Sequence, residues 1–220
     1  MPAARGVSLS EGCVAAAAGD FDNDGDLDLL ITTTGNRPLR LFRGTGLPSL
    51  QFTSETRHGV SIEGGGGDCG FVDANLDGQL DIIVGSESIS YPSRLFMNQL
   101  SSSAYLFVRV VGRGSGGINT SGVGSRVELW NATNTKFLQR RDLGTARGLG
   151  QEPLIAHFGG IDPKATYTIR VVNGRRSITQ TVVPGAASTT IGSTVIPQMV
   201  TLKETSTMRV VRWREVSQDE

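Results

Sequence analysis

Apolar and polar residues along this chain change places over short stretches, and glycine, asparagine, aspartate or proline punctuate them. Leu39-Arg40-Leu41-Phe42-Arg43 alternates as a half-buried strand should. Leu27 to Thr33 before it is more continuously apolar, and a further strand is expected near Gln51-Phe52-Thr53. Residues 13–19 are almost all small, and Val14-Ala15-Ala16-Ala17-Ala18 suits a helix on propensity alone. The matching place later in the chain, residues 64–72, opens with Gly64-Gly65-Gly66-Gly67, which a helix would not tolerate. Both stretches are therefore read as strands, with small side chains that permit close backbone approach. Arg94-Leu95-Phe96-Met97-Asn98 then repeats the pattern of Arg40 to Arg43.

From Ser101 the pattern changes. Strands are expected at 105–111, 124–130, 137–143, 154–158, 166–172 and 177–183. Turns fall at Asn131 to Asn134, Gly144 to Gly150, Gly159-Gly160 and Asn173-Gly174, the last a strong two-residue hairpin signal. Gly112 to Gly124 reads as a flexible glycine- and serine-rich loop. Residues 189–202 and 208–216 read as further strands without an assigned role, and 217–220 as a frayed tail.

Composition agrees with an all-β, turn-rich chain: 29 of 220 residues are glycine, against a usual ~7%. Twenty-one basic and 21 acidic residues cancel, which gives no electrostatic case for nucleic acid or an anionic membrane. No apolar run approaches the ~20 residues of a membrane-spanning helix. Met1 to Ser10 lack the basic start and apolar core of a signal peptide. Cys13 and Cys69 are too few for a disulfide scaffold; two buried free thiols are expected, and a bridge between neighbouring strands stays open.

The chemistry concentrates in a repeated acidic loop. Asp20-Phe21-Asp22-Asn23-Asp24-Gly25-Asp26-Leu27-Asp28 and Asp73-Ala74-Asn75-Leu76-Asp77-Gly78-Gln79-Leu80-Asp81 share one pattern, 53 residues apart. Oxygen side chains at positions 1, 3, 5 and 9 around a turn glycine suit calcium, which takes about six to eight oxygens in a flexible shell. Position 7, Asp26 or Gln79, would add a backbone carbonyl. An EF-hand needs glutamate at position 12, and Ile31 and Val84 stand there. Two calcium sites follow: Asp20, Asp22, Asp24, Asp26 and Asp28, then Asp73, Asn75, Asp77, Gln79 and Asp81. With four aspartate side-chain ligands against three plus an asparagine, the first is expected to bind more tightly. Affinities on the order of 10⁻⁴–10⁻³ M would suit extracellular calcium.

A period near 50 with four short strands is a propeller-blade signature. Gly19 to Asp28 resembles an FG-GAP/VCBS repeat, the calcium-bearing blade also found in integrin α-subunit heads, and the likeness extends over roughly residues 13–98. Val123 to Leu129, His157-Phe158-Gly159-Gly160 and Ile169 to Arg175 resemble the ASPIC/UnbV domain that follows such blades in the cartilage acidic protein family. Two positions depart from that pattern: Phe158-Gly159-Gly160-Ile161 replaces Phe-Gly-Leu-Gly, and Val171-Val172-Asn173-Gly174 replaces Trp-Pro-x-Gly. The expected fold is thus all-β: a partial β-propeller of about two four-stranded blades (residues 1–100), a small antiparallel β-domain (101–185) and a C-terminal β-extension (186–220). Propellers typically need about four to eight blades, so the chain is expected to be a piece of a longer protein or to complete its ring with another copy.

The functional expectation is a non-catalytic, extracellular, calcium-binding interaction module with a protein or polysaccharide partner. The extracellular location is implied by the resemblance. No nucleophile elbow, phosphate-cradling loop or His-x-x-x-His site is present. His58 and His157 read as structural, and carboxylates that hold a cation stay deprotonated and cannot donate protons. Asn119-Thr120-Ser121 and Asn131-Ala132-Thr133 fit the N-glycosylation pattern, which chance supplies often in a Ser/Thr-rich chain. Two other readings stay open: a non-catalytic portion of a propeller enzyme of the polysaccharide lyase or quinone-dependent dehydrogenase type, and an assembly subunit.

Overall fold

The computed structural model describes residues 5–204 except 36, 47, 57–58, 61–65, 87–88 and 146–152. The expectations for 208–216, 217–220 and His58 lie outside the described residues. The first sheet is an antiparallel meander of β1 (Cys13–Gly19), β2 (Asp28–Thr33), β3 (Arg40–Thr45) and β4 (Gln51–Glu55). The second repeats the order with β5 (Gly66–Val72), β6 (Asp81–Ser86) and β7 (Arg94–Phe96), three strands among the described residues. Both acidic loops lie between the first two strands of their sheet, as a blade requires.

The two blades face each other across one apolar layer. Leu30 and Leu41 are cross-strand partners in the first blade, as Ile82 and Phe96 are in the second. Leu30 and Leu41 pack with Phe71, Ile82 and Val84 in one cluster, which Phe96 borders. Leu30 is fully buried, so Leu30→Ala would cost about 2–5 kcal/mol. The small residues of the innermost strands are needed there. A Cβ on Gly19 would lie 2.7 Å from the Phe71 ring.

Residues 105–204 form a second core between two sheets. One contains β8 (Leu106–Val111), β11 (Ile155–Phe158) and β16 (Met199–Lys203). The other contains β9 (Arg126–Asn131), β10 (Phe137–Asp142), β12 (Tyr167–Asn173) and β13 (Arg176–Val182). Alternate residues point inward: Leu106, Val108 and Val110 meet Val127, Leu129, Ile169 and Val171. A 3₁₀ turn (Pro184–Ala186) leads into the hairpin of β14 (Ser188–Ile191) and β15 (Thr194–Pro197).

Three expectations change. The stretch set apart from residue 186 onward is woven into the second unit, because β16 pairs in parallel with β8. Such a pairing joins segments about 90 residues apart and leaves no local signature. The glycine-rich loop is not loose in its first half. Its amides from Arg113 and Ile118 donate to Glu204 Oε2 at 3.0 and 2.7 Å, while Arg176 pairs with Oε1 at 2.8 Å. Burial works to raise the Glu204 pKa, but these donors outweigh it and the net shift is downward. Finally, both cysteines are free thiols, yet Cys13 is exposed and only Cys69 is partly buried. Burial pushes the Cys69 thiol up to about 11, so it is unreactive near neutrality.

Candidate metal centre

The two loops have the same backbone course. Position 4 is left-handed in each (Asn23, φ 58°; Leu76, φ 62°), and so is the glycine at position 6 (Gly25, φ 99°; Gly78, φ 88°). Asparagine and glycine adopt this region readily, whereas leucine there costs about 1 kcal/mol or more. The turn wraps around the first aspartate. Asp24 N and Gly25 N donate to the two oxygens of Asp20 at 3.1 and 3.0 Å; Asp77 N and Gly78 N do the same to Asp73 at 3.1 and 2.8 Å. The last aspartate ties each loop to its sheet. Asp28 accepts from Phe21 N at 2.9 Å and Gly44 N at 2.8 Å, and Asp81 from Ala74 N at 2.9 Å and Asn98 N at 2.8 Å. Each carboxylate oxygen keeps a second lone pair for a cation.

The side chains differ more. Among the described residues, Asp20, Asp22 and Asp28 are the one group that brings three potential ligand oxygens within 4.8 Å of one another. Asp20 and Asp28 are almost fully buried. Burial, then repulsion from Asp24, drives the Asp20 carboxyl up to about 7; burial likewise drives Asp28 to about 7, against amide bonds that oppose it. Asp22 is also raised, first by burial and then by Asp24. A divalent cation is the chemistry that would relieve these costs, and an all-oxygen set suits calcium or magnesium over softer metals. The residues therefore fit the ion the pattern implies.

The remaining expected ligands stand further from that arrangement. Asp24 is exposed, and Asp24 Oδ1 accepts from Asp26 N at 2.9 Å. The Asp26 side chain turns away to the Gly46 amide. In the second loop Asp73 is only half-buried and its pKa is raised by burial. Asn75 Nδ2 donates to Asp77 Oδ2 at 2.8 Å, which uses one lone pair of that oxygen. The Gln79 side chain is buried and bridges Asn23 Nδ2 and the Ser102 carbonyl at 3.1 and 2.8 Å.

Several contributors were not visible as site residues in the sequence. Arg43 pairs with Asp22 and stands over the Phe21 ring at 5.4 Å. Its counterpart in the second blade is Met97, one residue after Phe96, the partner of Ile82. Asn98 Nδ2 reaches the carbonyls of Phe21 and Leu80 at 2.8 and 3.0 Å and links the blades. Asn23 Nδ2 reaches the Gly78 carbonyl at 3.0 Å and links the loops directly. Aligning the two copies and asking where they differ was the available signal for Arg43 and Asn98.

The loops also carry the second unit. Gly160 N donates to the Asn23 carbonyl at 2.9 Å, and a Cβ on Gly159 would lie 2.2 Å from Asp20 Oδ2. Tyr105 packs on the second loop, where a Cβ on Gly78 would meet its ring at 2.1 Å. Both metal-type turns thus sit in the seam between the blades and the β-domain.

The fold and this loop define a class: an all-β chain that begins with propeller-type blades. Residues 20–84 match the family model of the FG-GAP-like repeat, which spans both acidic loops. No curated protein matches the chain.

Proposed function

We propose that this chain is a calcium-braced, non-catalytic extracellular module that binds a protein or polysaccharide partner. The observation that carries this reading is the convergence of Asp20, Asp22 and Asp28 oxygens within 4.8 Å, with two of the three carboxylates buried. Asp20, Asp22 and Asp28 would hold the first ion, with Asp24 completing its shell. Asp73, Asn75, Asp77 and Asp81 would hold a second, weaker one. The ion supplies charge neutralisation and rigidity, so each loop becomes a fixed corner between the inner strands of a blade. The match to the FG-GAP-like repeat supports the extracellular setting, since such repeats typically occur there.

The second unit reads as an ASPIC/UnbV-type domain. Val123 to Leu129 runs into β9, His157-Phe158-Gly159-Gly160 ends β11 on the first loop, and Ile169 to Arg175 carries β12 into its hairpin turn. A non-catalytic role is supported by the uses already made of the ionisable groups. The loop carboxylates are bonded to their own turns, and His157 is a buried ring held neutral, its pKa lowered by burial and by Arg141 to about 3.

Thermal unfolding with chelator and then with millimolar calcium tests the proposal. At about 10 mM calcium, a hundredfold excess over a Kd of about 10⁻⁴ M, binding should add about 2.7 kcal/mol of stability, and Asp22→Ala should remove most of that gain. Identical melting with and without calcium, for the intact protein, would sink the reading.

A further inference from the structure

The seam between the blades and the β-domain holds an open cavity of about 360 Å³ that the metal-type residues Asp20 and Asp73 border but do not fill. This is within the ~300–1,000 Å³ typical of small-molecule sites. Its walls are mainly apolar, with Phe71, Leu76, Phe107, Ile155 and Met199 among them. Two polar side chains in it lack adequate partners. His157 is 7% exposed, and among the described residues neither ring nitrogen makes a well-formed hydrogen bond; the Gly78 carbonyl is near enough only to act weakly on the ring. The ring is packed at 5.1 Å from Phe107 and 6.5 Å from Tyr105. Arg141 lies over the Phe158 ring at 5.3 Å; among the described residues its hydrogen bonds go to neutral acceptors, the Arg140 carbonyl at 2.9 Å and Gln139 Oε1 at 3.1 Å, while the Asp20 carboxylate acts on it through space. Buried side-chain nitrogens without a well-formed hydrogen bond are rare in native proteins, and a bound ligand is one way to satisfy them.

The other charges around the cavity are already engaged, which sets the chemistry of that occupant. Asp20 and Asp73 accept hydrogen bonds from their own loops, and Asp20 also interacts with Arg141 through space. Asp142 pairs with Arg140 at 2.8 Å. What remains is a guanidinium and an imidazole N–H, both donors, facing an apolar chamber. A metal ion does not fit this pair, because His157 joins no metal-type cluster among the described residues.

We propose that the seam cavity binds a small apolar carboxylate, with its head group on Arg141 and His157 and its body against Phe71, Phe107 and Met199. Such a ligand would span both units, because Phe71 belongs to β5 of the blades while Phe107 and His157 belong to β8 and β11 of the β-domain.

The test uses the full chain and three probes: 3-phenylpropionate, hexanoate and 3-phenyl-1-propanol. The imidazole signals of His157 in nitrogen-correlated NMR report occupancy, and the chain has only two histidines to resolve. The two acids should shift the His157 signals, and 3-phenylpropionate should bind at least about tenfold more tightly than the alcohol, since a charged hydrogen bond replaces a neutral one. Arg141→Met should erase that preference while leaving alcohol binding in place; Arg140→Met, whose guanidinium is paired with Asp142, should leave both unchanged. Equal affinity for acid and alcohol in the unaltered protein would overturn the proposal. So would unmoved His157 signals at millimolar concentrations of both acids. These two outcomes are read without any variant, so a misfolded Arg141→Met protein does not rescue the idea.

Discussion

The two acidic loops share a backbone almost bond for bond, yet only the first gathers its carboxylates. Around Asp20 and Asp73 the paired amide distances agree within 0.2 Å, so the turn itself does not distinguish them. The differences lie in what surrounds each turn. Arg43 covers the first loop where Met97 stands in the second. The backbone of Gly159-Gly160 presses on the first, while the side chain of Tyr105 rests on the second. At position 4 the first loop has Asn23, suited to the left-handed region, and the second has Leu76, which is not. A sequence pattern can thus specify a turn twice and a buried carboxylate cluster once.

The largest expected effect separates the loops by the kind of neighbour each has. A Cβ on Gly160 would lie 2.4 Å from the Asp24 carbonyl oxygen and 2.5 Å from the Gly25 Cα, with φ at 63°. Neither backbone atom can move aside cheaply. Gly160→Ala should therefore cost about 2–4 kcal/mol, measured by denaturant unfolding. Gly78→Ala, at φ 88°, meets the edge of the buried Tyr105 ring at 2.1 Å rather than backbone; a side chain yields more readily than a main chain, and this change should cost less. Equal costs would erase this part of the contrast.

Next comes the pH dependence of calcium affinity. Asp20 and Asp28, at about 7 without metal, must lose protons to bind it. Affinity at the first loop should fall at least about tenfold between about pH 8 and pH 6. The same groups act in the opposite sense on the metal-free protein. Their folded pKa values lie above the ordinary aspartate value of 3.8, so the stability they contribute is present below that value and lost as pH rises through about 7. Melting in chelator across this range should show metal-free protein gaining stability from these two groups on acidification, and Asp20→Asn should reduce the gain.

A smaller effect makes the first loop resemble the second. Arg43→Met removes a cation that competes for Asp22, so calcium affinity should rise about threefold at low salt. The Arg43 side chain is 44% exposed, and its loss should alter metal-free stability by less than about 1 kcal/mol. An affinity loss instead would mean that Arg43 orients Asp22 for the ion.

Much of the fold was legible because it rests on local alternation. Strand pairs such as Leu30 with Leu41, or Val171 with Ile178, follow from period-two patterning and turn chemistry, although the two-residue loop is Gly174-Arg175, one place on from the expected Asn173-Gly174, because Asn173 pairs with Arg176. The parallel pairing of β16 with β8 was not, because no local turn sets its register. Glu204 illustrates the same limit. It is a single acid after a strand, and only the fold brings Arg113, Ile118 and Arg176 around it. In the acidic loops the ligand chemistry was readable from residue types and spacing. The docking of Gly159-Gly160 on Asp20 was not, since those residues are far apart in the chain and glycines carry no chemical signal.

The central claim is that the first loop is the stronger cation site, and calorimetric calcium titration of the intact chain beside Asp22→Ala and Asn75→Ala tests it most directly. The account predicts that Asp22→Ala removes the tighter binding event and that Asn75→Ala leaves that event in place while weakening a second, looser one. Loss of the tighter event in Asn75→Ala, with Asp22→Ala behaving like the unaltered protein, would contradict it.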